Sequence, residues 1–283
     1  KNDFSQKMHS YLRHPASLIM MILVKLAALI TFTVLIFLII YILVHGVPYL
    51  KPSLFSLHYN SENASLMPAL INTVIMTLLS LLLAVPIGIF SAIFLAEYAG
   101  KGNKFVDIIR LTTETLSGIP SIVYGLFGML FFVSTCHWGF SLLAGAFTLA
   151  IMILPLIMRT TEEALLSVPD SYREGSFGLG AGKLRTVFYI VLPSAVPGIL
   201  AGVILAIGRI VGETAALIYT AGSVAQVPSS VLGSGRTLAV HMYLLASEGL
   251  YMDQAYATAV ILLVLVVVIN TLSGIVAKRL TKA

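Results

Sequence analysis

Charge is the scarcest feature of this sequence. Asp, Glu, Lys and Arg make up 10% of its 283 residues, against roughly a quarter in ordinary soluble domains. With 58% hydrophobic residues, the chain has more apolar surface than one soluble core could bury, which excludes a water-soluble globular protein. Cysteine is nearly absent. Cys136 stands alone, which excludes an intrachain disulfide and a thiolate metal cluster. There is no H-E-x-x-H pair on a helix and no G-x-x-x-x-G-K-[ST] phosphate cradle, so neither a zinc hydrolase helix nor a P-loop ATP site is encoded. Gly178, Gly180 and Gly182 follow no strand and make no dinucleotide fingerprint. His9, His14, His45, His58 and His137 fall near loops or interfaces without ligand spacing, and His241 reads as an interfacial group. No internal repeat or low-complexity segment interrupts the chain. The formal charge of +5 sits in short loops between apolar runs, where it sets topology rather than binding nucleic acid.

What the sequence has in quantity is apolar runs. A membrane-spanning helix needs about 20 such residues, at 1.5 Å rise across a ~30 Å hydrocarbon core. Six segments qualify: 26–44, 70–95, 111–133, 142–158, 196–220 and 257–277. The predicted fold class is therefore an all-α integral membrane protein with six transmembrane helices. Residues 1–25 form a basic, amphipathic cytoplasmic N-terminal arm, 26–277 the spanning domain, and 278–283 a cytoplasmic tail. The first run is too long for a signal-peptide core, and no small-residue cleavage site follows it. Gly118 and Pro120 interrupt the third span. Between a Gly, Pro and Ser-rich stretch, SVAQVPSSVLGSG, and the last span, 237–247 is apolar but too short to cross. It is predicted to be re-entrant or interfacial.

Positive charge orients the chain. With both termini inside, the cytoplasmic segments hold Lys1, Lys7, Arg13, Lys101, Lys104, Arg110, Arg159, Arg173, Lys183, Arg185, Lys278, Arg279 and Lys282. The outer loops 45–67 and 222–256 hold only Lys51 and Arg236. Lys25 can snorkel to the inner face. This asymmetry follows the positive-inside rule.

The longest polar segment that looks foldable is 161–193, TEEALLSVPDSYREGSFGLGAGKLRTVFYIVLP. Val168-Pro169 should end the helix that continues the fourth span. Ser171-Tyr172-Arg173-Glu174 has the form of a capping box and should start a new helix, which Gly178 and Gly180 should stop. Lys183–Val191 suits a second short helix, with Pro193 as the turn back into the membrane. By caps alone this is either a solvated loop or a helix held beneath the bilayer for a partner to grip.

Arg209 and Glu213 carry charge into the predicted fifth span. A charge at mid-membrane costs about 2.5–3.5 kcal/mol even on the lenient insertion scale. It must face a partner, a cavity or another subunit. Their four-residue spacing predicts one shared helix face, with Gly208 and Gly212 leaving room for close approach. Two readings stand: a mutual salt bridge that locks packing, or an anion pathway. A guanidinium is a bidentate donor to phosphate oxygens and stays charged. Glu213 could neutralise Arg209 or accept the proton of a hydrogenphosphate, which sulfate lacks. Ser121, beside the proline break, and Thr214, beside Glu213, complete the candidate pathway. The break itself is either a packing kink or part of that pathway. Asn72, Thr73 and Thr77 open the second span, where threonine hydroxyls usually bond their own helix.

The segment Glu174-Gly175-Ser176, then Gly180, then Ile190, Leu192 and Pro193, resembles the E-A-A-x3-G-x9-I-x-L-P loop of ABC importer permeases. It departs only in having Gly175 and Ser176 for two alanines. Asn72-Thr73, Leu95-Ala96-Glu97-Tyr98, the run from Ile119-Pro120-Ser121 to Gly128, Arg159-Thr160-Thr161-Glu162 through Val168-Pro169-Asp170, and Arg209 to Ala215 resemble the PstA-type permeases of bacterial phosphate importers. The resemblance covers the chain from about Asn72 onward. It implies an inner-membrane permease of the type I importer fold, with a coupling helix that docks on an ATP-binding subunit through Tyr172, Arg173, Glu174, Gly175, Ser176, Gly180, Leu192 and Pro193. It further implies a related second permease as hetero-dimer partner, a dimer of ATP-binding subunits, an external phosphate-binding protein and surrounding lipid. No catalytic residue, metal site or cofactor is expected on this chain, with ATP and Mg in the partner ATPase. An ABC permease for sulfate, molybdate or an amino acid, and a self-contained secondary carrier, are the alternative readings.

Overall fold

The structure is a computed structural model and describes residues 15–99 and 102–282. The predicted arm up to residue 14, with Lys1, Lys7 and Arg13, lies outside the described residues, as does Lys101. From Pro15 the chain is already helical. Helix α1 (Pro15–Gly46) carries the first span and absorbs the second half of the expected arm. Helix α2 (Met67–Ile93) follows and ends in a π-helical turn, Phe94–Tyr98. Helices α3 (Lys104–Ser117) and α4 (Ser121–Gly128) come next, α4 continuing into a π-helical stretch, Met129–Thr135. Then come α5 (Leu142–Leu166), α6 (Asp170–Gly178) and α7 (Lys183–Thr186). A π-turn, Val187–Val191, joins α7 to α8 (Leu192–Val211). Short α9 (Ala215–Ile218), α10 (Leu238–Glu248) and α11 (Met252–Lys282) complete the described chain. α11 runs past residue 277 unbroken, so the expected tail is its last turn.

Five helices are long and apolar enough to cross a membrane, and the pair around Gly118–Pro120 makes a sixth if its two arms count as one. That pair bends by 101°. A proline cannot supply the helical N–H, and Ile119 before it is pushed from the helical region, so the predicted kink is a right-angled break. α3, the arm before the break, is amphipathic and carries Val106 as its buried residue.

α5 is the central helix, packed between α2 and α8. Its core face carries Leu142, Leu149, Met152, Ile153 and Ile157, all buried, against Met76 of α2 and Ile210 of α8. Small residues let backbones meet. A Cβ on Gly202 would collide with Thr160 and one on Gly198 with Ala164, so α8 lies close on α5. The expected close approach at Gly208 and Gly212 is not made within this chain: Gly208 faces open space. α1 stands apart, exposed along its length, and touches α11.

The loop 222–237 folds over the start of α5. Ser141 caps that helix through Ala144 N (3.2 Å), and the loop supplies Gly233 O to Leu142 N (3.0 Å) and Val231 O to Leu143 N (2.8 Å). Helix N-termini leave four donors unpaired, and here loop carbonyls take two of them. α10, predicted to be interfacial or re-entrant, packs one face into the protein. Its Leu238, Val240, His241 and Leu245 are buried against α2 and α11. A run of eleven residues too short to span satisfies its backbone inside the protein rather than at a lipid surface.

Candidate functional site

The fifth span differs most from expectation. One helical run extends from Lys183 to Val211, 29 residues, or about 43 Å at 1.5 Å per residue. It starts earlier than the predicted 196 and stops earlier than 220. Pro193 makes no turn, because the π-turn Val187–Val191 sits just before it. Wider π spacing accommodates a residue that lacks an N–H. At the other end the helix closes on Gly212, and Glu213-Thr214 leads into α9. Arg209 is therefore in the last turn of α8, where the helix dipole favours a cation, while Glu213 is beyond the helix end.

The shared helix face inferred from their spacing does not exist. Arg209 takes part in none of the ion pairs among the described residues. Glu213 is 9% exposed, its Oε1 accepting from Thr214 N (3.2 Å) and Ala216 N (3.1 Å). It is a cap for α9. The mutual salt bridge is thus absent, and the half-buried Arg209 keeps its donors.

The break in α8 meets the break between α3 and α4. Gly125 of α4 lies directly on α9: a Cβ there would sit 2.7 Å from Ala216 Cα. The Tyr124 hydroxyl donates to Leu116 O (2.7 Å), bridging the right-angled bend. Ser121 opens α4, one turn before Tyr124, and is half-buried. Thr214, also half-buried, donates to Gly212 O (3.4 Å). Two broken helices thus bring the Ser121–Tyr124 turn, Arg209 and the Glu213–Thr214 turn to one region.

The candidate docking element is α6 with its flanks. It begins at Asp170, not through Ser171: Pro169 is the cap, and no side chain caps the helix. The predicted capping box is not formed, because Pro169 already fixes the entry dihedral and Ser171 is inside the first turn. The stop is as the glycines suggest. Gly180 has φ +84°, Gly180 N donates to Phe177 O (2.9 Å) and Ala181 N to Ser176 O (3.1 Å). Those two bonds are a Schellman ending, which needs the left-handed residue at Gly180. α6 is exposed around most of its surface, with Tyr172 51%, Phe177 46% and, just past its end, Leu179 91% exposed, and with Glu174 and Gly175 exposed as well. Arg173 and Ser176 turn inward. Pro193 is exposed and Leu192 half-buried, both within α8.

Residues 84–282 match the family described as the binding-protein-dependent transport system inner membrane component. The chain belongs to that family. It is 34% identical over 278 residues to the probable ABC transporter permease protein YqgI of Bacillus subtilis, spanning 90% of this chain and 94% of that protein. It is 39% identical over 178 residues to the phosphate transport system permease protein PstA of Haemophilus influenzae, spanning 62% of each. To PstA 2 of Mycobacterium bovis it is 40% identical over 161 residues, 57% of this chain and 53% of that protein. The fold is that of importer permeases. The crystal structure of a bacterial alginate ABC transporter in complex with its pentasaccharide-bound periplasmic protein covers 91% of this chain at TM-score 0.67 and 18% identity, and 95% of that chain. The inward-facing MetNI methionine ABC transporter covers 76% at TM-score 0.64 and 22% identity, and 96% of that chain. The family is one of inner-membrane transporter permeases rather than enzymes.

A second polar cluster went unforeseen. The buried Arg236 guanidinium lies over the Tyr59 ring (4.7 Å), and Tyr59 meets His241 edge-on (6.2 Å). Asn72 Nδ2 donates to Gln226 O (2.8 Å) and Arg236 O (3.1 Å), and Thr73 Oγ1 accepts from Leu238 N (2.8 Å). These side chains tie the loops 45–66 and 222–237 to α2; Asn72 at the start of a span was their one visible sign. Burial, then the Arg236 charge, push the His241 pKa down to about 3. The ring is therefore neutral in the folded protein, while an unfolded histidine titrates near 6.5. A depressed folded pKa gives stability that is full above 6.5 and is lost as pH falls, at roughly 1.4 kcal/mol per pH unit from 6.5 down to the folded value. His241→Leu should flatten the fall in thermal midpoint between pH 7.5 and 5 in detergent. An unchanged slope would remove His241 as its source.

Proposed function

We propose that this chain is a permease subunit of an ATP-driven importer of inorganic phosphate, forming half of the translocation pathway. The observation that carries the reading is Arg209. It is a guanidinium without an acidic partner among the described residues, at the end of a span that breaks beside a second broken helix. An unpaired arginine suits a phosphate anion, and the relatives named for phosphate transport favour that cargo over sulfate. A second, related permease supplies the other half. A dimer of ATP-binding subunits, where ATP and Mg²⁺ act, docks on the exposed side of α6, and an external phosphate-binding protein delivers the cargo. Both termini are cytoplasmic in this reading, because the basic residues then lie inside.

The test is uptake by the whole complex reconstituted in vesicles with its binding protein and ATP. Phosphate uptake that needs ATP and resists excess sulfate is expected. Equal competition by sulfate would overturn the cargo. Uptake without ATP would overturn the power source.

A further inference from the structure

We infer that Glu97 and Arg173 form a clamp that transmits motion of the α6 helix to the spans, with Ser176 and Thr186 as its second attachment. This rests on the reading of α6 as the ATPase-docking helix and says how such docking becomes movement.

Arg173 uses its whole guanidinium inside the protein. Nε and Nη2 reach the Glu97 carboxylate (3.2 and 2.6 Å to Oε1), Nη2 also donates to Leu165 O (2.9 Å), and Nη1 donates to Val168 O (2.7 Å) and Asp170 Oδ1 (3.2 Å). The two side chains are 15% and 7% exposed, respectively. Leu165 and Val168 sit at the end of α5, where helix carbonyls lack partners. Glu97 belongs to the π-turn that ends α2. One arginine on α6 therefore ties it to the inner ends of the second and fourth spans. A bidentate fork fixes angle as well as distance. Replacing a buried ion pair by apolar residues often leaves stability unchanged or improved, and some such pairs serve geometry instead.

The far end of α6 is tied to the fifth span. Ser176 Oγ and Thr186 Oγ1 are hydrogen-bonded at 2.8 Å, and both residues are buried. Thr186 stands in the helical run that carries Arg209 in its last turn, ~35 Å further along at 1.5 Å per residue. Ser176 is one of the two positions where this chain departs from the alanines of the resembled loop, so this tie comes with the departure. Tyr98, next to Glu97, adds a third contact: Lys183 Nζ lies over its ring at 5.1 Å. The end of α2 thus holds both sides of the α6 segment. A push on α6 is delivered to α2 and α5 through Arg173 and to α8 through Ser176, without slack in a loop.

The measurement uses the assembled transporter with its binding protein, comparing wild type, Glu97→Gln, Arg173→Gln and the double variant. Glutamine keeps the shape at residue 97 but turns an amide donor toward the guanidinium. In Glu97→Gln, association with the ATPase should be unchanged, because the exposed side of α6 is untouched. Phosphate moved per ATP hydrolysed, and stimulation of ATPase by loaded binding protein, should fall at least about fivefold, the lower end of a site-to-site coupling free energy. Since Glu97 acts through Arg173, Glu97→Gln should add nothing in the Arg173→Gln background. Unaltered transport per ATP in Glu97→Gln overturns the clamp. So does loss of ATPase association in that variant, or losses that multiply in the double. Failure of the wild-type complex to bind an ATPase or move phosphate would instead refute the transporter reading itself.

Discussion

Arg209→Gln should reduce phosphate uptake by roughly 10- to 100-fold, since a hydrogen bond to a charged group contributes about 1.5–3 kcal/mol. The loss should come without loss of assembly. Arg209 pairs with no carboxylate among the described residues, so neutralising it strands no buried acid. It stands on a helix end whose dipole already favours a cation, which argues that its charge is kept for something other than packing. Arg209→Lys keeps the charge but loses the planar fork, and should fall between wild type and glutamine. Glu213→Gln is a different experiment. Its oxygen can still accept from Thr214 N or Ala216 N, so the α9 start should survive. What it loses is the negative charge that would accept a phosphate proton, so preference over sulfate should shrink more than rate. The measurement is initial uptake of radiolabelled phosphate, with and without sulfate, in vesicles containing equal amounts of complex. Uptake within about twofold of wild type for Arg209→Gln, well below the tenfold that 1.4 kcal/mol represents, would remove the pathway role.

These two residues show where sequence reading reached and where it stopped. That both charges need an internal reason follows from hydropathy, a local property. That they lie on one face assumed a helix continuing through Gly212-Glu213-Thr214, and no proline marked its end. The stop comes from tertiary structure: α9 must turn to pack on Gly125 of α4, ninety residues earlier by simple order along the chain. The Gly118–Pro120 break was legible because proline acts through its own backbone. Pro193 has the same chemistry and made no break, since a π-turn beside it absorbed the missing donor. The glycine stop of α6 was readable for a backbone reason too, whereas the inward turn of Arg173 was not. Its partner Glu97 is 76 positions away, and periodicity carries no information on such a pairing. The burial of α10 was hidden for the same reason: length ruled out a span but could not choose between lipid surface and protein interior.

Deleting Ser171–Gly180 should abolish association with the ATP-binding subunit while the spans stay inserted, and Leu179→Asp should do most of the same with one atom cluster changed. Leu179 is 91% exposed at the tip of α6, with Tyr172 and Phe177 about half exposed on the same element. Aromatic and aliphatic side chains left exposed on a short helix between two spans are what a protein partner would cover. Burying one leucine contributes about 1.5–3 kcal/mol, and burying a carboxylate in its place adds a desolvation cost, so affinity should fall at least about tenfold. The substitution touches nothing inside this chain. Gly180 and its Schellman bonds fix the backbone around residue 179, and the Arg173 contacts are on the inward side. A control with Leu179→Met, which keeps apolar size, should retain binding. Co-purification of the ATPase with each variant from membranes, alongside protease mapping of the loops, separates lost docking from lost insertion. An ATPase retained at wild-type level by both the deletion and Leu179→Asp would mean that the partner grips the chain elsewhere, and would leave the exposed side of α6 without a function.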